Sequence, residues 1–318
     1  MPEKYEGVTT AFPVESIQAQ TQGPDKEEKT KEQTPGHDKN MDPLAVWTQF
    51  EEFDDNGKPY LRDYVPGGRL KNKTALITGG DSGIGRSTAM LFALEGCDVT
   101  IVYLPEEEKD AQDVKSWIEK KGRKCELIAV DLRKEESPKK IVEEHMTRFN
   151  RLDVLVNNAA RQSMSMEFAE IDLKDVESTF RLNILAMFAV TKYALPYMKR
   201  GGSIINTTSV AAYMTNPTLV DYSSTKGAIM SFTKALALQI APKGIRVNGV
   251  APGIIYTPLQ PASNPSSNME ELGKDACPMG RPGQPSEVAS SFVFLASSES
   301  SYFTGQILHP NGGIEVQS

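Results

Sequence analysis

The sequence predicts an α/β protein built on a single Rossmann-type, doubly wound parallel sheet of about seven strands, with helices on both faces. Two observations predict this fold. From residue 73 onward, short β-branched or apolar runs alternate with longer helical stretches, which is the pattern of β-α-β units. A glycine-rich turn, Thr78-Gly-Gly-Asp-Ser-Gly-Ile-Gly85, directly follows the first run. Since doubly wound sheets of ~250 residues commonly form one unit, residues 71–318 are expected to be one domain.

The strands are located by their apolar and β-branched content. The first is expected at 74–78, before the glycine turn, and the helical run Arg86–Glu95 follows it. The remaining strands are expected at 99–103, 126–130, 153–156, 203–207, 246–250 and 306–308. Ligands of such sheets bind beyond the carboxyl ends of the strands, so the motifs at strand ends carry most of the functional information.

Residues 1–70 are a polar, largely irregular N-terminal extension. It holds 8 basic and 14 acidic side chains, against 27 and 28 in the rest of the chain, so nearly all of the net charge of −7 lies here. Residues 1–40 have few large apolar side chains and are expected to be disordered. Asp42-Pro43 then offers a helix start, and the next part of the extension is expected to be a short helix that docks on its own domain or on a neighbouring subunit. Apolar residues follow at helical spacing: Leu44, Trp47, Phe50 and Phe53.

Composition argues against several classes of function. The domain is close to electroneutral and has no stripe dense in Lys and Arg, so no nucleic-acid partner is expected. No apolar run approaches the ~18 residues that span a bilayer, and no secretion signal is visible, so we expect no membrane association and a cytoplasmic location. Three scattered cysteines and three scattered histidines give neither a disulfide framework nor metal-ligand spacing, so no metal is expected.

The glycine turn has the spacing G-x-x-x-G-x-G at Gly79, Gly83 and Gly85. Glycines let the backbone turn tightly and approach a pyrophosphate, which free N–H groups and the helix dipole then bind at the start of the next helix. A glycine cluster alone is often only a turn. Its position between a predicted strand and a predicted helix favours dinucleotide binding.

Tyr222 and Lys226 are four residues apart, and Ser209 lies thirteen residues upstream of Tyr222. Positions i and i+4 share one helix face, so Lys226 is expected beside Tyr222. A phenol with an ordinary pKa of ~10 exchanges protons near neutrality only if a neighbouring cation stabilises the phenolate. Together with the glycine turn, these side chains predict a hydride-transfer site.

Six motifs, in order over residues 70–315, resemble those of the short-chain dehydrogenase/reductase family. They are the glycine turn, Asn157-Asn-Ala-Ala160, Asn183 in Arg-Leu-Asn-Ile-Leu, Ser209 in Asn-Thr-Thr-Ser, the Tyr222/Lys226 pair, and Pro252-Gly253 through Thr257. The long polar extension and the segment Tyr103-Leu-Pro-Glu-Glu-Glu108 resemble one subgroup, known as uncharacterised oxidoreductases, aldehyde reductases or glucose/ribitol dehydrogenase-like proteins. Ala160 stands where the family usually has glycine, and we expect local geometry to absorb the added methyl group.

The resemblance implies a nicotinamide dinucleotide cofactor, NAD or NADP. Asp131 and Leu132 would border the adenine, Asn158 and Ala159 would flank the adenosine ribose, and Ile255 and Thr257 would hold the nicotinamide carboxamide. The implied cofactor contacts are Gly79, Ser82, Gly83, Ile84, Gly85, Tyr103, Asp131, Leu132, Asn158, Ala159, Tyr222, Lys226, Pro252, Gly253, Ile255 and Thr257.

Two positions bear on the choice between NAD and NADP. At the end of the second strand, an acidic residue would bond the ribose 2′-hydroxyl of NAD, and an arginine would accommodate the 2′-phosphate of NADP. Tyr103 and Leu104 supply neither. Ser82 stands at a glycine-turn position that is often basic in NADP users of the family, and it has no positive charge. We expect NAD to be slightly favoured.

The resemblance also implies four catalytic residues: Asn183, Ser209, Tyr222 and Lys226. Tyr222 would protonate a carbonyl oxygen or deprotonate an alcohol, and Lys226 would lower the pKa of Tyr222 and bond the nicotinamide ribose. Ser209 would donate to the substrate oxygen, and Asn183 would hold a water in a proton relay. Any one of them alone could be an ordinary helix or strand-end residue, but their joint presence with the glycine turn favours catalysis.

These residues predict an NAD(P)-dependent oxidoreductase that acts on a small-molecule aldehyde, ketone, sugar or polyol. A fatty-acyl-type ketoreductase is a second interpretation within this class, and a dinucleotide-binding sensor or scaffold is an alternative from another class. Residues 260–285 are expected to form a mobile lid over the substrate, and Met164, Met166 and Met214 an adaptable apolar wall. The resemblance further implies a homotetramer that pairs through the helices carrying Asn183 and Tyr222 and through the C-terminal segment near Gln306–Gly313.

Overall fold

The structure, a computed structural model, describes residues 10–12, 36–263 and 277–316. Within these ranges seven strands form one parallel sheet in the order β5-β4-β3-β6-β7-β8-β9, which confirms the predicted fold. The strands of this sheet are β3 Thr74–Thr78, β4 Asp98–Tyr103, β5 Cys125–Ala129, β6 Leu152–Asn157, β7 Met198–Thr207, β8 Arg246–Val250 and β9 Ile307–Leu308.

Helices cover both faces of the sheet. One apolar core lies between the sheet and α1, α2 and α8, and a second lies between the sheet and α3, α5 and α6. Both faces of the central strands are therefore buried, as expected for a parallel sheet. The helices are α1 Gly83–Leu94, α2 Glu108–Lys120, α3 Ser137–Phe149, α4 Leu173–Phe180, α5 Met187–Ala194, α6 Val220–Ile240, α7 Leu259–Ser263 and α8 Pro285–Ala296. In the described part of the chain, no helix has the length and apolar content needed to span a membrane.

The strands agree closely with their predicted positions. Six of the seven have the predicted bounds or differ by one residue at one or both ends, but β7 begins at Met198 rather than at Ser203. Met198 pairs with Leu152, and the register of this ladder shifts before Val154. The strand continues through Gly201-Gly202 at this irregularity. Because glycines have no side chains, the apolar pattern did not indicate this first part of β7.

The strand order reverses at β3, with β4 and β5 on one side and β6 to β9 on the other. In doubly wound sheets, ligands bind in the crevice at such a reversal, outside the carboxyl ends of the strands. Here the ends of β3 and β6 flank the crevice. The glycine turn after β3 and the Asn158 segment after β6 therefore face each other.

The prediction of a short helix after Asp42-Pro43 is wrong. Gln49–Phe53 (β1) and Pro59–Asp63 (β2) form an antiparallel hairpin instead. Asn56-Gly57 supplies its turn: Gly57 has a φ of 75°, and the Asp54 side chain accepts from the N–H groups of Asn56 and Lys58 at 2.8 and 2.9 Å. An Asn-Gly pair between aromatic segments is a hairpin signal, and it outweighs the helical spacing of the apolar residues.

The chain before the hairpin contacts the domain at several points. The Tyr256 hydroxyl donates to the Pro43 carbonyl at 2.9 Å, and the Ser87 hydroxyl donates to the Trp47 carbonyl at 2.6 Å. The Val46 N–H donates to the Gln284 side chain at 2.9 Å. Residues 43–47 therefore pack against α1, the segment after β8 and the start of α8.

Residues 10–12 also lie on the domain. Phe12 is 3% exposed, with the Arg281 guanidinium 4.7 Å from the centre of its ring. Glu51 of the hairpin accepts from Thr10 and Ala11 at 2.6 and 2.5 Å. Arg281 donates to both carboxylate oxygens of Glu287 at 2.8 and 2.9 Å and lies 3.7 Å from Glu51. Arg281 thereby joins residues 10–12, the hairpin and α8. Most of the predicted disorder at 1–40 falls outside the described residues.

Candidate active site

The glycine turn between β3 and α1 is closely packed. A Cβ added to Gly85 would lie 1.8 Å from the Gly79 carbonyl oxygen, so only glycine fits there. Gly83 has a φ of 51° and lies against Thr257. α1 begins at Gly83 with Ser82 as its N-cap, and Ile84 and Gly85 belong to its first turn. The turn therefore brings the free N–H groups of a helix N-terminus to the crevice.

Polar side chains fix this turn to the end of β6. The Asn158 amide nitrogen donates to the Gly79 carbonyl at 3.0 Å. The Thr78 hydroxyl accepts from the N–H groups of Asn158 and Ala159 at 2.9 and 3.1 Å. Thr207, at the end of β7, donates to the Asn158 side chain at 3.2 Å. The ends of β3, β6 and β7 are thereby fixed relative to one another.

The segment after β8 reaches the same edge of the sheet. The Pro252 carbonyl accepts from the N–H of Val210, the residue after Ser209, at 3.0 Å. Gly253 donates to the Pro310 carbonyl at 3.1 Å, and Ile255 forms a β-bridge with Gly283. Thr257, at the other end of the segment, contacts Gly83. The segment from Pro252 to Thr257 therefore extends from the Ser209 side of the crevice to the glycine turn.

Tyr222 and Lys226 lie in the first two turns of α6, close to Ser209 beyond the end of β7. They are 7% and 2% exposed. The Lys226 nitrogen donates to the Thr207 carbonyl at 2.9 Å and lies 5.2 Å from the centre of the Tyr222 ring. One helix face holds both side chains, as their spacing predicts.

Burial shifts the pKa of both groups. It raises the pKa of Tyr222 to about 12, although interaction with the Ser209 side chain opposes part of the rise. It lowers the pKa of Lys226 to about 7. The family resemblance implies a phenolate on Tyr222 and an ammonium group on Lys226. Burial disfavours both of these charged forms. Near pH 7, Tyr222 is a neutral phenol and Lys226 changes its charge.

Asn183 lies in a widened, π-helical turn, Arg181–Ala186, between α4 and α5. Such turns are often found at functional sites. The Asn183 side chain accepts from the Arg161 N–H at 2.9 Å, and it donates to the Arg161 carbonyl at 2.9 Å and to the Thr225 hydroxyl at 3.0 Å. Thr225 donates to the Tyr222 carbonyl at 2.7 Å. Asn183 thereby joins the segment after β6 to the helix that carries Tyr222.

A cavity of about 10 Å³ lies beside Asn183. Its polar walls are Thr78, Asn157 and Thr207. Asn157 Oδ1 is buried and has no hydrogen-bond partner within the described ranges. Because a cavity of roughly 10–15 Å³ with polar partners can hold one water, this cavity fits a single water molecule.

The end of β4 carries acidic groups. Tyr103 donates to Glu108 at 2.6 Å, and the Glu107 carboxylate accepts from the Leu104 N–H at 3.0 Å. Asp81 of the glycine turn is 1% exposed. Burial raises the pKa of Asp81, and the nearby charge of Glu107 raises it further. Acidic side chains therefore lie where the second strand of a dinucleotide fold meets the ribose, and burial disfavours the charged form of Asp81.

Asp131 and Leu132 follow β5 at the same edge of the sheet. Arg133 donates to both oxygens of the Asp131 carboxylate, with Nε at 2.9 Å and Nη2 at 2.8 Å, so this carboxylate is paired within its own loop. Leu132 is buried and lines the small cavity beside Asn183.

Besides Asp81 and Glu107, two further acidic residues at the site, Asp221 and Asp38, are not among the predicted site residues. Asp221 accepts from the Tyr222 N–H at 2.7 Å and from the Ser163 hydroxyl at 3.0 Å, which joins the segment after β6 to α6. An acidic residue in the first turn of a helix is a signal that could have identified it. Asp38, from the extension, accepts from the Gly83 N–H at 3.3 Å. No local signal in the sequence places Asp38 there.

The structure describes the substrate side in part. The Ser165 N–H donates to the Thr218 carbonyl at 2.9 Å, so the segment with Met164 and Met166 lies beside the segment with Met214. Met166 and Met214 are 79% and 54% exposed. The predicted lid overlaps residues 264–276, which lie outside the described residues.

A family model and a solved structure match this chain. The model, described as Enoyl-(Acyl carrier protein) reductase, matches residues 79–315. The structure is that of a short chain dehydrogenase from Burkholderia cenocepacia J2315 in complex with NADP. It superimposes with a TM-score of 0.73 at 29% identity, covering 77% of this chain and 99% of that one. The chain belongs to the short-chain dehydrogenase/reductase family of oxidoreductases, as its ordered motifs predict.

Two curated relatives are similar over most of the chain. The uncharacterized oxidoreductase YhdF of Bacillus subtilis (strain 168) is 47% identical over 294 residues, which cover 92% of this chain and 96% of that protein. NADPH-dependent aldehyde reductase 1, chloroplastic, of Arabidopsis thaliana is 53% identical over 262 residues, which cover 80% of this chain and 91% of that protein. The predicted subgroup is therefore confirmed.

Proposed function

We propose that this oxidoreductase transfers a hydride between a nicotinamide dinucleotide and the carbonyl or alcohol group of an aldehyde, ketone, sugar or polyol. The observation that carries the proposal is the convergence of Ser209, Tyr222 and Lys226 at the end of β7, next to a crevice flanked by a glycine turn. The Arabidopsis relative is named an aldehyde reductase, which supports a carbonyl substrate.

The residues of the crevice fit a dinucleotide. The N-terminus of α1 offers backbone N–H groups to a diphosphate, and the close contact of Gly85 with Gly79 keeps side chains out of the place where the two would meet. Asn158 and Ala159 would flank the adenosine ribose, and Ile255 and Thr257 would hold the nicotinamide. When bound, the dinucleotide supplies the hydride chemistry, which no side chain of the chain can supply.

Tyr222 would hold the proton that the substrate oxygen gains during reduction. Because burial keeps Tyr222 a neutral phenol, it is ready to donate that proton. Ser209 lies close to Tyr222 and would donate a hydrogen bond to the same substrate oxygen. Lys226, when charged, would stabilise the phenolate that remains on Tyr222.

A water in the cavity beside Asn183 would then return the proton. The cavity is lined by Asn183 and Thr207, and the Thr207 carbonyl accepts from Lys226. The side-chain donors and acceptor of Asn183 are already bonded to Arg161 and Thr225, so its own contribution would be to position α6 and the wall of the cavity.

Two observations bear on the choice between NAD and NADP, and they point in opposite directions. Glu107, with a pKa of about 6, places a carboxylate near the end of β4, and this negative charge disfavours an added 2′-phosphate. The Arabidopsis relative is named NADPH-dependent. A binding titration with NADH and NADPH shows which observation decides the preference. The local charge favours tighter binding of NADH.

A second candidate function is reduction of an enoyl or keto group in an acyl chain that is carried as a thioester. The family model that matches residues 79–315 is described as an enoyl-(acyl carrier protein) reductase, and this description is the observation that favours it. Turnover of an acyl-thioester substrate, with none of simple aldehydes and sugars, would establish this candidate in place of the first.

The test is a titration of NADH and NADPH on the purified protein, followed by reduction assays with a panel of aldehydes, ketones and sugars. The Tyr222→Phe variant is measured alongside. We expect both proteins to bind a dinucleotide and only the wild type to turn over. Binding without turnover by the wild type would support a sensor or scaffold instead, and no binding of either dinucleotide would overturn the proposal.

A further inference from the structure

We propose that Asp38 competes with the diphosphate of the dinucleotide for the N-terminus of α1. Residues 36–41, here named the strap, carry Asp38 and would leave this position each time a cofactor binds. The inference rests on the proposed function, because it takes the glycine turn as the dinucleotide site.

Asp38 lies directly on the glycine turn. Its Oδ2 accepts from the Gly83 N–H at 3.3 Å and lies 3.5 Å from a guanidinium nitrogen of Arg86. The side chain is 1% exposed, and its Oδ1 has no hydrogen-bond partner among the residues that the structure describes. The carboxylate is therefore a buried anion at the same kind of N–H group that binds phosphate at other helix N-termini.

The strap contacts three elements: the segment after β8, α1 and α2. Gly36 lies against the carbonyl of Pro258, the residue after Thr257, with no room for a side chain. His37 Nδ1 lies 2.7 Å from Asp110 Oδ2 on α2. Together with the contact of Asp38 on α1, these interactions make the strap a bridge from the segment after β8 to α1 and α2.

The strap has its own local hydrogen bonds, which are separate from those of the residues that follow it. Asp38–Asn40 form a single 3₁₀ turn, in which the Met41 N–H donates to the Asp38 carbonyl at 3.0 Å. The next residues are held by separate bonds, from Tyr256 to Pro43 and from Ser87 to Trp47. Release of the strap would therefore break none of the bonds that hold residues 43 and 47.

The charges around Asp38 oppose a second anion. Burial raises the pKa of Asp38 to about 6, Arg86 opposes this rise, and the charge of Asp110 adds to it. Arg86 is the cation in contact with Asp38, and it also stacks on the Trp47 ring. The other titratable groups that face this place are His37, Asp81, Glu107 and Asp110.

Competition follows from charge and from the supply of donors. Ser82, the N-cap of α1, makes no side-chain cap, so Asp38 satisfies an N–H group that has no partner within the helix. The single N–H group of Gly83 cannot donate a full hydrogen bond to a carboxylate and to a phosphate at the same time. A diphosphate and a carboxylate at the same helix N-terminus also repel each other. A dinucleotide that uses this terminus therefore displaces Asp38.

The test compares dinucleotide affinities by calorimetric titration at pH 7.5. Asp38→Asn keeps the size of the side chain and removes its charge, and we expect it to bind NADH and NADPH about tenfold more tightly than the wild type. Asp113→Asn is the matched control. It removes the same charge from an exposed position on α2, and it should leave both affinities within about twofold. Equal or weaker binding by Asp38→Asn would overturn the inference.

Hydrogen exchange provides a second measurement on the full-length wild type. The N–H groups of Asn40 and Met41 bond to the carbonyls of His37 and Asp38. If the strap is displaced, both should exchange faster in saturating NADPH. Slower exchange would show that the strap closes over the dinucleotide, which contradicts competition. If neither the wild type nor a variant binds any dinucleotide, the proposed function fails as well. If dinucleotides bind normally and the exchange rates of Asn40 and Met41 do not change, only this inference is contradicted.

Discussion

The side-chain nitrogen of Lys226 lies 5.2 Å from the centre of the Tyr222 ring while it donates to the carbonyl of Thr207. The lysine is therefore held by the end of a strand and faces the ring of its neighbour on α6. Both side chains are buried, so the charge on either one is costly. Proton transfer from Tyr222 therefore depends on a charged Lys226 to stabilise the phenolate that forms.

We expect Tyr222→Phe to lower turnover by at least about 100-fold, because the variant has no hydroxyl to donate a proton. Dinucleotide affinity should change little, since the ring and its packing remain. Steady-state kinetics and a binding titration measure the two effects. Tyr197→Phe, at a 43% exposed tyrosine, is the control and should keep wild-type turnover. Unchanged turnover in Tyr222→Phe would refute the assigned acid-base role.

The pH profile of carbonyl reduction should report Lys226. Tyr222 stays protonated over the working range because its pKa is about 12, whereas Lys226 loses its charge above about pH 7. Charged Lys226 stabilises the phenolate that forms on proton transfer. We therefore expect kcat/KM for reduction to fall as the pH rises above about 7. A flat profile from pH 6 to 9 would show that this lysine does not control the step.

We expect Gly85→Ala to weaken dinucleotide binding by about tenfold or more, because the new methyl group would lie 1.8 Å from the Gly79 carbonyl oxygen and would distort the turn. Gly227→Ala is the control: it lies in α6, and no heavy atom lies within 4 Å of the added Cβ. That control should bind normally and gain about 0.5–1 kcal/mol of stability. Fluorescence titration and thermal melts measure both, and normal binding by Gly85→Ala would contradict the assignment of this turn.

The stability of Asp38→Asn relative to the wild type should depend on pH. The Asp38 pKa is 3.8 in the unfolded chain and about 6 in the folded one, because burial disfavours the carboxylate. Below pH 3.8 the group is protonated in both states and carries no penalty, and above about pH 6 the folded state bears the full penalty. Between these values the wild type should lose on the order of 3 kcal/mol against Asp38→Asn. Urea unfolding at several pH values measures this difference, and a constant difference would contradict the buried charge.

We expect the purified protein to be a tetramer at micromolar concentration. The helices expected to pair carry exposed apolar side chains, with Leu185 at 54%, Phe188 at 49% and Leu238 at 81%. Exposed apolar surface of this kind normally marks a contact. Light scattering measures the mass, and Leu238→Asp should shift it toward smaller species. A monomeric wild type would refute the prediction.

The fold was predictable because its signals are local and periodic. Apolar runs located every strand of the large sheet, and the glycine turn located the start of the first helix that follows it. The i,i+4 spacing alone was sufficient to place Lys226 beside Tyr222. Each of these inferences depends on a few neighbouring residues and on a regular geometry.

The hairpin and the strap were not predictable in the same way. Phe50 and Phe53 fit a helical spacing, and only the Asn56-Gly57 pair indicated a turn. The contact of Asp38 with Gly83 joins residues 45 positions apart in the chain and depends on tertiary packing. The pKa values of Tyr222 and Lys226 are set by desolvation, which residue spacing does not report.

Arg281 holds Phe12 and Glu51, and Gln284 holds Val46. On the ribosome the extension emerges before α8, and the surface that receives it is complete only after α8 has been made. Residues 10–12 and 43–47 can therefore reach their final positions only late in synthesis. During that interval the apolar side chains of Phe12 and Val46 lack the surface that buries or binds them in the folded protein.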